Sequence, residues 1–101
     1  MTTSSEVSGG VVLNRLAPGS HIEVATKSRC YHIECLGGSA IRISGHPQYC
    51  PQPESGQLEG SIGRDGVELG RIGCGKRMLF LLDNSRPVTT SEVVSVHVAQ
   101  P

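Results

Sequence analysis

At 101 residues the chain is long enough for one domain with one modest core, and its nine basic and nine acidic residues balance, leaving no overall positive field to draw in a phosphate backbone. Aromatic residues are confined to Tyr31, Tyr49 and Phe80, too few for base-stacking platforms, so nucleic acid is not an expected partner and the core falls to Val, Ile, Leu and Met. No stretch approaches the roughly 18 apolar residues that span a bilayer, and MTTSSEVSGG lacks the basic start and apolar run of a secretion signal. No membrane partner is expected, and the expected compartment is the cytoplasm, where the four cysteines stay reduced.

Residues 1–10, rich in Ser, Thr and Gly, read as a flexible tail ahead of a single domain over 11–101. Val11 to Leu16 starts the fold, and Ala17-Pro18-Gly19-Ser20 is a turn, with Pro presetting one dihedral and Gly supplying a positive φ. His21 to Thr26 alternates with Ile22 and Val24 inward. Arg29 to Leu36 follows, with Tyr31, Ile33 and Cys35 on one face and Cys30, His32 and Glu34 on the other. Ala40 to Ser44 is a short strand with Ile41 and Ile43 inward.

From Gly45 to Gln57 the composition shifts to GHPQYCPQPESGQ, whose three prolines cannot donate to a sheet ladder. A loop of about 12 residues inside a compact domain is a candidate recognition element, so His46, Pro47, Gln48, Tyr49, Pro51 and Pro53 are the expected contact residues for a protein or small-molecule partner.

Leu58 to Leu82 is punctuated by glycines and reads as three antiparallel strands joined by two tight turns. A two-residue turn at Asp65-Gly66 pairs Ile62 with Leu69, and a second at Cys74-Gly75 sets Leu69 against Phe80 and Val67 against Leu82, whereas a three-residue second turn would send Leu79 and Leu81 to the core instead. The run Met78-Leu79-Phe80-Leu81-Leu82 is apolar on both faces, where a strand with one face in solvent should alternate. The second face, with Leu79, Leu81 and Val93, therefore expects a cover, either the strand around Val11 to Leu16 or a second copy of the chain. Asp83 to Pro87 is turn chemistry again, and Val88 to Val98 is a last strand with Val94, Val96 and Val98 on one face. No 3.6-residue apolar period persists, so the fold class is all-β: a small antiparallel barrel or sandwich of about seven or eight short strands.

Gly70-Arg-Ile-Gly-Cys-Gly75-Lys76 imitates a phosphate-binding loop, but Arg77 stands where the magnesium hydroxyl belongs and a strand follows where a helix is needed. Cys30, His32, His46 and Cys50 are candidate metal or thiol-chemistry residues, while Cys35 projects from the opposite face to Cys30 and His32. Cys74 sits on a turn tip beside Lys76 and Arg77, where positive charge favours a thiolate. Ser91 lacks the setting of a hydrolase nucleophile, and local hydroxyl bonding explains it.

The patterns Thr26-x-Ser28-x-x-Tyr31-x-Ile33-Glu34, Gly73-x-Gly75-x-x-Met78-x-Phe80 and Thr89-Thr90-Ser91-x-Val93-x-x-Val96 resemble a group of short bacterial all-β proteins of unknown function. That resemblance implies a bacterial source and a small all-β fold, and it brings no activity or functional residues. The expected function is a non-enzymatic interaction or ligand-binding module, homo-oligomeric and without a cofactor. The alternative is a metal-binding or thiol-dependent protein built on Cys30, His32, His46 and Cys50.

Overall fold

The computed structural model describes residues 4–6, 9–83 and 86–101. The two-residue alternation of the early chain becomes β3 (His21–Thr26), β4 (Cys30–Gly37) and β5 (Ala40–Ser44), joined as successive antiparallel hairpins. Ile22, Val24, Tyr31, Ile33, Ile41 and Ile43 all point inward and are buried, as the alternation requires. β6 (Glu54–Gly63) pairs with β5, and β9 (Arg77–Leu82) lies between β6 and the first half of β10 (Pro87–Ala99). The second half of β10 returns to β3, so six strands close into a barrel around Phe80, Met78 and the inward Ile and Val side chains.

Four short strands attach to this ring. β1 (Ser4–Glu6) pairs with residues 97–99 of β10, and β7 (Gly66–Leu69) pairs with the far half of β6. β2 (Gly10–Val12) and β8 (Arg71–Gly73) form a separate two-stranded ribbon. The segment expected as a tail over 1–10 thus contributes β1 and the first residue of β2, while residues 1–3, 7 and 8 lie outside the described residues. Val11 to Leu16 is extended only to Val12. It then turns through a single 3-10 turn at Leu13–Arg15, which sends Leu13 into the core at 2% exposure. Of the turn expected over 83–87, Asn84 and Ser85 lie outside the described residues, and the flanking chain is closed by the Leu82 amide donating to Arg86 O at 3.0 Å.

The Leu58 to Leu82 block differs from its expected register. The first turn is centred on Arg64-Asp65, one residue early, because Gly66, at φ +109°, is the first residue of β7 and pairs with Gly63. Ile62 therefore faces Val67, and Leu69 lies opposite Gly60 rather than Ile62. The third strand does not follow the second. After Gly70, at φ +70°, the chain leaves to pair β8 with β2, and β9 docks on β6 and β10 instead of β7. Phe80 lies opposite Leu58 and Val88, and Leu69 is left 78% exposed. Met78, Phe80 and Leu82 are nonetheless the buried face, with Leu79 and Leu81 half-buried on the other. No helix follows Lys76, which excludes the phosphate-loop geometry.

β10 also departs from simple alternation. Its register shifts between Thr89 and Glu92 and again between Val93 and Ser95, so Val88, Thr90, Val93, Val96 and Val98 are buried while Val94 is 59% exposed. Val93, expected on the outer apolar face with Leu79 and Leu81, is 2% exposed and belongs to the core. Two bulges bend this 13-residue strand so that one end serves β9 and the other β3.

Hydroxyl groups hold the bent region. Thr26 Oγ1 donates to Arg29 O at 3.0 Å and accepts from the Arg29 amide and from Ser91 Oγ, each at 3.0 Å. Ser91 Oγ also accepts from the Ser28 amide at 3.2 Å, and Thr90 Oγ1 accepts from the Met78 amide at 3.0 Å. Ser91 is thus structural, but through partners 63 and 65 residues away rather than through its own local backbone. Buried Ser61 ties β8 to β6 in the same way, donating to Arg71 O at 2.5 Å and accepting from the Gly73 amide at 2.8 Å.

Candidate functional site

Two clefts open on either side of Ser91, which lines both. The smaller, about 250 Å³, lies between the turn after β3, the loop at 45–53 and the start of β10. Its walls include Arg29, Tyr31, His46, Tyr49 and Thr89. The larger, about 600 Å³, is lined by Lys27, Arg64, Lys76 and Arg77 together with Gly63, Gly75 and Glu92.

The loop is built inward from Gly45. A side chain there would place Cβ 2.4 Å from Cys30 O, and φ is +126°, so only glycine lets the loop lie against β4. The His46–Cys50 bridge closes it: the Cys50 amide donates to His46 O and the Gly45 amide to Cys50 O, both at 3.0 Å. His46 Nδ1 accepts from the amides of Gln48 and Tyr49 at 3.1 and 3.2 Å. An accepting Nδ1 must be unprotonated, and desolvation followed by the nearby Arg29 guanidinium holds the His46 pKa below its ordinary value. The His46 and Tyr49 rings stack with centroids 4.4 Å apart, and the Arg86 guanidinium lies 5.1 Å from the Tyr49 ring centre. Of the expected contact residues, His46 and Tyr49 face the cleft. Pro47, Gln48, Pro51 and Pro53 are exposed along the loop and do not line it.

In the larger cleft, Gly63 makes room for the Lys76 stem, whose carbons lie 3.1 Å from where a Cβ would stand. Lys76 crosses there to pair with Glu68, and Lys27 pairs with Glu92 at 2.8 Å. Lys27, and secondarily the charge of Arg77, hold the Glu92 carboxyl below the usual carboxylate range. Arg64 and Arg77 make no side-chain hydrogen bond or ion pair among the described residues, although the charge of Arg77 is felt at Glu92, so the cleft keeps two guanidinium groups whose N–H donors no carboxylate engages. No expected site residue lay here except through the imitation phosphate loop. Four basic residues scattered over 27–77 carry no local signal, and only barrel closure gathers them.

The four metal candidates are not brought together. Cys30 and His32 share the outward face of β4 as expected, but Cys50 is fully buried in the core and His46 Nδ1 is occupied by the loop's own amides. Among the described residues no three His, Cys, Asp or Glu side chains are arranged to hold a metal ion. Burial pushes the Cys35 and Cys50 thiols up, and Lys76, expected to favour a Cys74 thiolate, is turned to Glu68. Native alkylation followed by mass spectrometry should therefore modify Cys30 first, Cys74 more slowly, and Cys35 and Cys50 only on unfolding. Rapid labelling of Cys50 in the native protein would contradict its place in the core.

The resolved geometry does pair His32 with a residue that sequence reasoning passed over. His21 Nδ1 and His32 Nε2 are 3.0 Å apart across the β3–β4 hairpin. The signal was present, since both are outward positions on adjoining strands of an alternating hairpin.

No protein-family model, no curated protein and no solved structure matches the chain. No helix among the described residues is long and apolar enough to cross a membrane.

Proposed function

We propose that this chain is a non-enzymatic binding module, and that it takes an anionic ligand in the cleft between the β3–β4 turn, the β6–β7 turn and Gly75–Arg77. One observation carries the reading: four cationic side chains and one carboxylate line a cleft of about 600 Å³ in a chain whose net charge is zero. That volume falls within the range of small-ligand sites, roughly 300–1,000 Å³. Guanidinium groups suit carboxylate and phosphate oxygens because their forked donors engage two oxygens at once. Arg29, His46 and Tyr49 extend the same surface past Ser91, which is where the proline-rich loop contributes.

The test is an NMR titration of the untagged protein with inorganic pyrophosphate and with citrate. Amide shifts should concentrate at 27–29, 63–64 and 75–77, and Arg64→Gln with Arg77→Gln together should weaken binding at least about tenfold, the equivalent of 1.4 kcal/mol, while leaving the melting temperature unchanged. Shifts scattered over the surface, or binding indifferent to both substitutions, would overturn it.

A second reading, self-association, draws on β7. Val67 and Leu69 are 52% and 78% exposed on a strand that, among the described residues, pairs on one side only. An apolar edge strand is a template for a second copy. It is a better seat for a homo-oligomer than the expected Leu79 and Leu81, which are half-buried. Native mass spectrometry should then show a dimer or larger assembly that Leu69→Lys converts to monomer, and a strictly monomeric parent removes this reading.

A further inference from the structure

We propose that His21 and His32 form a two-histidine clamp for a borderline divalent transition ion, Zn²⁺, Ni²⁺ or Cu²⁺, on the outer face of the β3–β4 hairpin. In the hairpin register His21 lies opposite Glu34 and His32 opposite Glu23, so the two histidines are diagonal neighbours. The right-handed twist of paired strands closes one diagonal and opens the other. Here it closes the histidine diagonal: the rings stand 5.1 Å apart between centroids, tilted by 36°, with Nδ1 of His21 aimed at Nε2 of His32 at 3.0 Å.

That separation is what a shared ion needs. With metal–nitrogen bonds of 2.0–2.1 Å, two imidazole nitrogens sit about 2.9 Å apart at a right angle and about 3.3 Å apart at the tetrahedral angle. The observed 3.0 Å lies between the two, so the nitrogens already stand at the separation a shared ion requires, and rotation of the two exposed rings turns both lone pairs onto it. In the ion-free pair one nitrogen donates a proton to the other. On binding, the donor ring carries that proton on its remaining nitrogen instead, and both facing lone pairs turn to the metal, with no change in net protonation. Imidazole nitrogen selects zinc, nickel and copper over calcium and magnesium, which prefer oxygen.

The surroundings suit a cation. Glu23 on β3 lies opposite His32, and Glu34 lies opposite His21 while bridging to Arg42 on β5 at 3.3 Å. Both histidines are exposed, so water completes the coordination sphere. An ion held by two side chains with open positions is exchangeable, and this barrel, with a full apolar core of its own, does not depend on it for folding. The clamp shares no residue with the anion cleft and stands independently of it.

The experiment is calorimetric titration of the untagged full chain with Zn²⁺ and with Ni²⁺, repeated on His21→Gln, His32→Gln and Cys30→Ser. One saturable equivalent is expected in the parent protein. Each histidine substitution should weaken it by at least about 10- to 100-fold, the loss that removing even an outer-shell partner of a metal ligand produces, and Cys30→Ser should change it less than twofold. All three positions are exposed, and unchanged melting curves confirm that the variants fold. Absence of saturable binding, or binding lost with Cys30→Ser and kept in both histidine variants, would overturn the proposal.

Discussion

Phe80→Ala is expected to lower the unfolding free energy by about 3–5 kcal/mol, the cost of emptying a fully buried aromatic site whose walls relax only in part. Phe80 has no exposed surface and sits on β9, the strand that completes the ring by joining β6 to β10. Its ring meets Tyr31 across the barrel, edge to face, with centroids 6.0 Å apart. The remaining neighbours of the void among the described core residues are mostly Ile, Val and Leu already packed at full burial. A domain with an ordinary reserve of about 5–15 kcal/mol would be left marginal or unfolded at 37 °C. Urea denaturation should show the midpoint falling with the slope unchanged. Leu79→Ala, on the half-buried face of the same strand, should cost less than half as much. Equal losses at the two positions would mean that the inward face of β9 is misassigned.

The second large effect is expected at Gly60. This residue lies where β6 is bulged, opposite Leu79 of β9 on one side and Leu69 of β7 on the other, and its φ is +152°. An added Cβ would stand 2.1 Å from Glu68 O and 3.0 Å from Leu69 Cα, both backbone atoms that cannot rotate aside. Strain at a glycine-only dihedral costs about 1–3 kcal/mol, and forcing extra atoms into packed structure costs about 1–3 more. Gly60→Ala should therefore destabilise the protein by about 3 kcal/mol. The cheapest relief is for the β6–β7 hairpin to peel from the barrel, which hydrogen exchange would register as loss of protection at 67–69 before the rest. A substitution without effect on either stability or exchange would show that β7 does not approach β6 as closely as drawn. Because Arg64 and Gly63 belong to that hairpin, the same variant should also widen the basic cleft.

Glycine-rich segments in this chain have two separable roles. Gly66, Gly70 and Gly75 have positive φ and nothing within 4 Å of a built Cβ, so they serve turns. Gly45 and Gly60 carry both a positive φ and a neighbouring backbone oxygen closer than 2.5 Å, so they serve contact. A turn glycine has a sequence signature, because its flanking residues are turn formers as well. A contact glycine has none, because the atom that excludes a side chain belongs to a distant strand.

By itself the sequence determined the class of fold and the hairpins of the first half. The alternation in His21–Thr26, in residues 30–35 and in Ala40–Ser44 is a local, two-residue property, and burial follows it until the irregularity between Cys35 and Gly37. The prolines after Gly45 likewise forbid a ladder whatever surrounds them, and β6 starts only at Glu54. Tertiary structure alone decided that β9 pairs with β6 and β10, that two bulges carry Val93 inward and Val94 outward, and that Lys27, Arg64, Lys76 and Arg77 line one cleft. Turn residues specify how a chain reverses, but not which distant strand fills the gap left when a twisted sheet curls round to meet itself. That choice is made by closing the ring, which leaves no open edge along β9 and buries Phe80, and every long-range register and every gathered charge follows from it.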